Sequence, residues 1–358
     1  MEPVRVGIVG CGKVGGLHAA ALRAVPEAVY VGACDADPAR AAAFAAKHGG
    51  VAFPDLDALL RSGVEAVVIG TPHPAHAAPA VRAAAAGVHV LVEKPMAATL
   101  ADCDAMLAAA ARSGVRLGVI SQRRFYEPIR RVKAAIDAGK LGTPVLGLVL
   151  MYSWRDAAYY TSDPWRGRWD TEGGGVLVNQ SPHQLDMLLW FLGPAAEVTG
   201  FWANLNHPTV EVDDTAVAAI RFRNGGLGSI LTSVSQKPGL YTKVHVHGSN
   251  GASAGVETDR GSTFIAGVTG IAEPPLTDVW TIPGEEHRLT EYQEADRTAF
   301  AGVDGTTYYH ALQFRDFVRA IRENRPPLVT GEDGRAVVEL FTAVYQSNRE
   351  RRAVKLPL

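Results

Sequence analysis

Lys94 stands at the mouth of an apolar run in "HVLVEKPM" and is followed at once by Pro95. A cation there loses hydration unless a partner or ligand compensates it, so it is either an ordinary strand-end charge or part of a site. A second group of chemically capable side chains lies in "EGGGVLVNQSPHQLDMLLW", where three glycines precede Asn179, His183 and Asp186. Steps of four and three place these three on one helical face, with Leu185 and Leu189 turned to a core. An imidazole titrates near neutrality and an amine can hold a proton, so Lys94 and His183 are of the types that handle the proton of a hydroxyl. Such chemistry also needs a hydride carrier.

The chain contains a candidate for holding one. The first strand pattern runs into Gly10-Cys11-Gly12-Lys13-Val14-Gly15, a G-x-G-x-x-G between a strand and a helix. Gly10 permits the tight turn, Gly12 lets the backbone approach a pyrophosphate, and Gly15 lets helix pack on strand. The helix amides at Lys13 and Val14 then face the anion. Asp35 ends the second strand pattern 20 residues beyond Gly15. Its carboxylate accepts from a ribose 2′-hydroxyl and repels a 2′-phosphate, which favours NAD over NADP; Arg40 nearby weakens that preference and keeps NADP possible. Two more strand patterns end in Thr71-Pro72 and in Lys94-Pro95, turns that face the ligand crevice of an open parallel sheet, and His76 is expected to line it.

These residues need a scaffold. Up to about residue 122, short β-branched runs ("VRVGIVG", "VYVGACD", "AVVIGTP", "HVLVEKP", "RLGVISQ") alternate with Ala-rich helical segments starting near Leu17, Pro38 and Leu100 and running through Val81. The pattern predicts an α/β, doubly wound parallel sheet, a Rossmann domain over residues 1–122. After Gln122 come a helix in "EPIRRVKAAIDAGKLG", the strand "PVLGLVLMYSW", an aromatic loop from Arg155 to Glu172, a helix through Leu192, and then several strands without intervening helices. This predicts an α+β domain over residues 123–358 with a large, mainly antiparallel open sheet. Two terminal helices, about Tyr308 to Arg325 and Glu332 to Arg349, close the chain and are candidates to pack back on the first domain. The free face of the second sheet is expected to make a homodimer or homotetramer.

Composition narrows the function classes. Apolar residues make up 47%, charged residues 20% and the formal net charge is -2, which offers no global attraction for nucleic acid or anionic lipid. No stretch is apolar for long enough to span a membrane, and no basic-then-apolar leader is evident, so a cytoplasmic location is expected. Cys11, Cys34 and Cys103 lack C-x-x-C spacing, and His73 with His76, or His245 with His247, lack a third ligand; no metal is predicted.

The glycine loop, "TPHPAHA", "GVHVLVEKPMA" and "GGGVLVNQSPHQLDMLLWFLG" together resemble the family of glucose-fructose oxidoreductase, inositol 2-dehydrogenase and the rhizopine-catabolism oxidoreductases (Gfo/Idh/MocA), over nearly the whole chain. The resemblance implies that Lys94 reaches the reacting hydroxyl or carbonyl of a sugar or cyclitol, that the following proline bond is cis, and that Glu93 anchors the cofactor ribose or the turn. It assigns His183 to acid-base work and Asp186 to a supporting or substrate-binding role. Which of Lys94 and His183 accepts the proton is left open. Many relatives have Asp where this chain has Asn179, so a simple Asp-Lys-His relay is not retained here.

In "YSWRDAAYYTSDPWRGRWDTEGGG", aromatic faces among arginines suit a pyranose, and the resemblance puts a Trp-Arg pair, here Trp165 and Arg166, at the nicotinamide end. Gln122 and Arg123 are expected to reach the same cleft, and Tyr152, Asn179 and Tyr308 to add substrate contacts. The resulting expectation is an NAD(P)-dependent oxidoreductase acting on a ring hydroxyl or carbonyl of a sugar, glycoside or cyclitol. Two alternatives are a glycosidase that oxidises C3 transiently and a non-catalytic dinucleotide-binding protein.

Overall fold

The computed structural model describes residues 2–260, 263–265, 268–270 and 273–358. The chain divides into two compact units. The first comprises the chain up to Gln122 together with Thr306–Arg335; the second comprises Arg123–Ile265, Thr269–Gly305 and Ala336–Leu358.

In the first unit, β1 (Val4–Val9), β2 (Ala28–Cys34), β3 (Val51–Phe53), β4 (Ala66–Ile69), β5 (His89–Val92) and β6 (Leu117–Val119) form one sheet in the order β3-β2-β1-β4-β5-β6. Every pairing is parallel. Strand order reverses between β1 and β4, and ligands of such sheets bind at that switch point, beyond the carboxyl ends of the strands. The helices are α1 (Lys13–Arg23), α2 (Pro38–His48), α3 (Leu56–Arg61), α4 (Ala77–Ala85) and α5 (Leu100–Ser113). Local chemistry sets their ends. The Asp37 carboxylate accepts from Ala39 N at the start of α2, and Thr99 Oγ1 accepts from Asp102 N at the start of α5. Gly114, at φ +66°, stops α5 in the left-handed region that glycine enters freely.

Two features of this unit differ from the sequence reading. α1 starts at Lys13 rather than Leu17, because the glycine motif supplies its first turn. β3 and α3 were not anticipated: a three-residue edge strand has no periodicity to read. The unit's core also takes Phe314, Phe317 and Val318 from the helix Gly305–Arg322, packed with Val4, Ile8 and Leu22.

The second unit opens with α6 (Glu127–Asp137), β7 (Pro144–Tyr152), α7 (Ala157–Thr161) and α8 (Pro182–Leu192). Strands β8 (Ala195–Ala203), β9 (Thr215–Phe222), β10 (Leu227–Ser233), β11 (Tyr241–Gly248) and β12 (Ser253–Thr258) follow. Next come the short pair β13 (Thr263–Ile265) and β14 (Val268–Gly270), β15 (Leu276–Trp280), α9 (Arg288–Ala301), α11 (Gly331–Glu350) and β16 (Val354–Lys355), while the intervening α10 (Gly305–Arg322) belongs to the first unit. The large sheet has the order β15-β12-β11-β7-β10-β9-β8-β16 and is antiparallel except between β7 and β10. Side chains alternate along β9, with Ala216, Ala218, Ile220 and Phe222 buried and Val217, Ala219 and Arg221 exposed. Helix α8 lies close on the buried face: a Cβ on Gly147 of β7 would come within 2.5 Å of Leu192 Cδ1.

Here too the reading needs amendment. The segment before α8 is not one continuous α-helix, since Val176–Gln180 is a π turn and α8 starts only at Pro182. Helix α9 was missed because it buries little besides Tyr292 and Asp296, leaving a weak apolar stripe.

Candidate functional site

The candidate residues fall in two sets, one in each unit. In the first, Gly10 has φ +99°, and a Cβ there would lie 2.9 Å from the backbone of Gly70 and Thr71, so only glycine lets the β1 and β4 ends approach. A Cβ on Gly15 would sit 2.6 Å from Gly10 O, whereas one on Gly12 would meet nothing within 4 Å. Helix α1 has no side-chain cap at Gly12, so its N-terminus presents the positive end of the helix dipole to an anion at that open face. The site therefore fits a dinucleotide pyrophosphate. Asp35 accepts from Cys11 N at 2.8 Å and from Asp37 N at 3.0 Å, with Arg40 Nη1 3.6 Å away. It thus braces the glycine loop as well as presenting a carboxylate at the end of β2.

The turns after β4 and β5 are tied together. His76 is fully buried, with Nε2 2.8 Å from Thr71 O and Nδ1 3.0 Å from Pro95 O. It links the Thr71-Pro72 turn to the Lys94-Pro95 turn instead of lining an open surface, and burial pulls its pKa below the usual histidine range. The Lys94–Pro95 bond is cis. Lys94 is half-buried, and its backbone N–H donates to Glu93 Oε2 at 3.0 Å. Glu93 Oε1 lies 2.9 Å from His18 Nε2. Burial opposes ionisation of Glu93, but the His18 hydrogen bond and the Lys94 charge outweigh it and lower its pKa to about 2. Gln122 follows β6 on a 3₁₀ turn, and its Oε1 is buried with no hydrogen-bond partner among the described residues. Tyr308, in the first turns of α10, is 36% exposed and stacks edge-on with Tyr309.

In the second unit, His183 is the second residue of α8 and is 7% exposed. Asp186, one turn on, is held by Arg124 Nε at 2.8 Å and by Arg124 Nη2, and the Arg124 guanidinium lies 4.8 Å over the Trp190 ring. The Asp186 carboxylate is thereby committed to a buried, two-pronged pair, which suits a supporting role. Arg123 is likewise paired with both oxygens of Asp259. Asn179 lies in the π turn, not on α8, and donates to Glu172, which also accepts from Gly167 N. Burial raises the Glu172 pKa despite these donors. Arg166 stacks at 4.4 Å on Trp165 and on Tyr159, donates to the Tyr159 hydroxyl and pairs with Asp163. Tyr152, at the end of β7, stacks edge-on with Tyr241.

Sequence reasoning missed the groups that hold this segment. Asp213 is fully buried and accepts from Gly175 N, Leu177 N and the Tyr345 hydroxyl, which fastens the glycine run and the π turn. Its neighbour Asp214 accepts from Leu205 N, Asn206 N and His207 Nδ1, and His207 Nε2 lies 2.7 Å from Arg155 O in the aromatic loop. The available signal was the adjacent pair Asp213-Asp214 directly before an apolar strand. Among the described residues, no group of three or more His, Cys, Asp or Glu is arranged to hold a metal. No described helix is long and apolar enough to cross a membrane.

Residues 4–121 match the model of the oxidoreductase family with NAD-binding Rossmann fold, and residues 129–254 match that of the GFO/IDH/MocA C-terminal domain. The chain is 28% identical over 364 residues to myo-inositol 2-dehydrogenase of Thermotoga maritima, covering 99% of this chain and 98% of that protein. It is 29% identical over 358 residues to inositol 2-dehydrogenase of Rhizobium meliloti, covering 99% of each. Among solved structures, the WlbA dehydrogenase from Bordetella pertussis, in complex with NADH and UDP-GlcNAcA, superposes with a TM-score of 0.86 at 30% identity, over 100% of this chain and 99% of that one. With both domain models matched in order along the chain, it belongs to the Gfo/Idh/MocA family of NAD-dependent oxidoreductases.

Proposed function

We propose that the protein oxidises a ring hydroxyl of a sugar or cyclitol, or reduces the corresponding ketone, with Lys94 and His183 handling the proton. The observation that carries this reading is Lys94 at the carboxyl end of β5, half-buried in a turn whose backbone is fastened by Glu93 and His76. The glycine loop, the N-terminus of α1 and Asp35 would hold NAD, which when bound would supply the hydride acceptor. An ammonium group near the substrate oxygen stabilises the negative charge that grows there as its proton leaves, and a neutral imidazole is the better acceptor of that proton near pH 7. Lys94 is therefore assigned to orient and polarise the oxygen, and His183 to take the proton. Asp186 supports His183 through the shared helix, and the Trp165-Arg166 stack offers an apolar face and donors to a sugar ring. Inositol 2-dehydrogenases of similar sequence and a dehydrogenase crystallised with UDP-GlcNAcA support the substrate class.

The test is a panel of cyclitols, free sugars, glycosides and nucleotide sugars, each with NAD or NADP. The expected result is reduced cofactor accumulating with a keto product, faster with NAD. A panel that yields neither reduced cofactor nor product would refute the reading, and release of free sugar with no net cofactor reduction would identify a hydrolase instead.

We further propose that the open sheet face forms a homodimer or homotetramer. Phe201, 64% exposed, pairs across strands with Val217, and Val217 with Leu231, so an apolar row crosses β8, β9 and β10. Covering such a row removes apolar surface from water. Light scattering after size exclusion should give a multiple of the chain mass, and Phe201→Glu should shift it towards the monomer. A monomeric wild-type protein at micromolar concentration would end this proposal.

A further inference from the structure

Below the turn that carries Lys94, the first unit contains a buried polar cluster that the proposed chemistry does not use. His18, on α1 just past the glycine loop, is 0% exposed. Its Nε2 is 2.9 Å from Glu93 Oε1, while Glu93 Oε2 accepts the Lys94 N–H at 3.0 Å. The ring packs edge-on against Phe314 at 5.6 Å and lies 6.3 Å from the ring of His310, both on α10. Its other edge faces Gly70, where a Cβ would stand 3.3 Å from His18 Cε1. His18 Nδ1 is buried with no hydrogen-bond partner among the described residues. Leaving a buried ring nitrogen unsatisfied is costly, so the ring is held here for the bond its Nε2 makes.

We propose that His18 is a positioning residue for Lys94: by fixing one oxygen of Glu93 it aims the other at the Lys94 N–H and so sets the direction in which the lysine side chain leaves β5. This inference rests on the role proposed above for Lys94. Without the Nε2 donor, the Glu93 carboxylate is left only 13% exposed with one oxygen unpartnered, and it must turn or draw in water. Turning releases the Lys94 amide, and a mobile water in place of the fixed imidazole lets the carboxylate rotate away from it more often. His310 contributes differently: its Nδ1 lies 2.9 Å from Thr306 O, and burial lowers its pKa to about 4, so it walls the cluster as a neutral ring at pH 7. The other titratable groups facing Glu93 are Lys94 itself and His76.

Two variants test this, His18→Leu, which deletes the donor, and His18→Gln, whose Nε2 can replace it. The first readout is hydrogen exchange on the protein without cofactor, resolved to single amides over Val90–Met96. In His18→Leu the Lys94 amide should exchange about tenfold faster or more, with Leu91 and Val92 unchanged, and His18→Gln should restore it to within about threefold. The second readout uses myo-inositol with NAD as probes: kcat should fall about tenfold or more in His18→Leu, while NADH affinity by fluorescence stays within about threefold. An unchanged Lys94 amide in His18→Leu, or an equally fast one in His18→Gln, would overturn the inference; a general loss of protection in both variants would assign His18 to packing and overturn it as well. The exchange experiment needs no substrate, so it separates the two ideas. If exchange behaves as expected but Lys94→Ala keeps full turnover, the positioning stands and the role of Lys94 falls.

Discussion

Lys94→Ala is expected to reduce turnover by about 10³-fold or more while NADH binding, followed by fluorescence titration, stays within about threefold of wild type. The magnitude follows from losing both a charge-assisted hydrogen bond to the substrate oxygen and the stabilisation of its developing negative charge. The specificity of the loss follows from the structure. The bonds that shape the turn end on the backbone, at Lys94 N and Pro95 O, so alanine keeps them. Asp35 and the α1 amides lie on other segments and are untouched. Lys94→Arg should not restore the rate, because a longer, planar fork cannot occupy the place of a compact ammonium. A Lys94→Ala enzyme with wild-type kcat would remove the central assignment.

The second large effect is on stability. Asp186→Ala should lower it by about 3–5 kcal/mol, because the buried Arg124 guanidinium would lose its two-pronged carboxylate partner. Their side chains are 5% and 2% exposed, and the guanidinium is fixed by Trp190 on its face. For a unit of this size the loss corresponds to a fall in Tm of roughly 6–20 °C by calorimetry. Replacing the pair together, as Arg124→Met with Asp186→Leu, should recover most of it, since an apolar pair of similar volume avoids the desolvation of two ions. A fall of less than about 2 °C in Asp186→Ala would mean that solvent reaches Arg124.

What could be read from the residues, and what could not, follows from range. The parallel sheet was legible because strands covered on both faces are continuously apolar, as in "AVVI" and "HVLV", and the glycine motif ties three small residues to one local turn. The paired turns ending in Thr71-Pro72 and Lys94-Pro95 were legible as strand ends. The supports were not, because their partners are distant in sequence. His18 is bonded to a residue 75 positions away, and in sequence it is one histidine between Leu17 and Ala19. Asp213 serves the backbone 36 to 38 positions earlier. The π turn at Val176–Gln180 was hidden for another reason: one inserted residue does not disturb an apolar pattern read over a dozen, yet it rotates Asn179 relative to His183.

The enclosure of Phe314, Phe317 and Val318 with Val4, Ile8 and Leu22 also governs the order of events during synthesis. About 180 residues separate the end of the first sheet from the helix that completes its core, which at about 5–20 residues per second is a delay of roughly 10–40 s. Throughout that interval the emerging polypeptide has its six-stranded layer made but its last apolar wall missing, so the glycine-loop half must wait until α10 has been made before it can close.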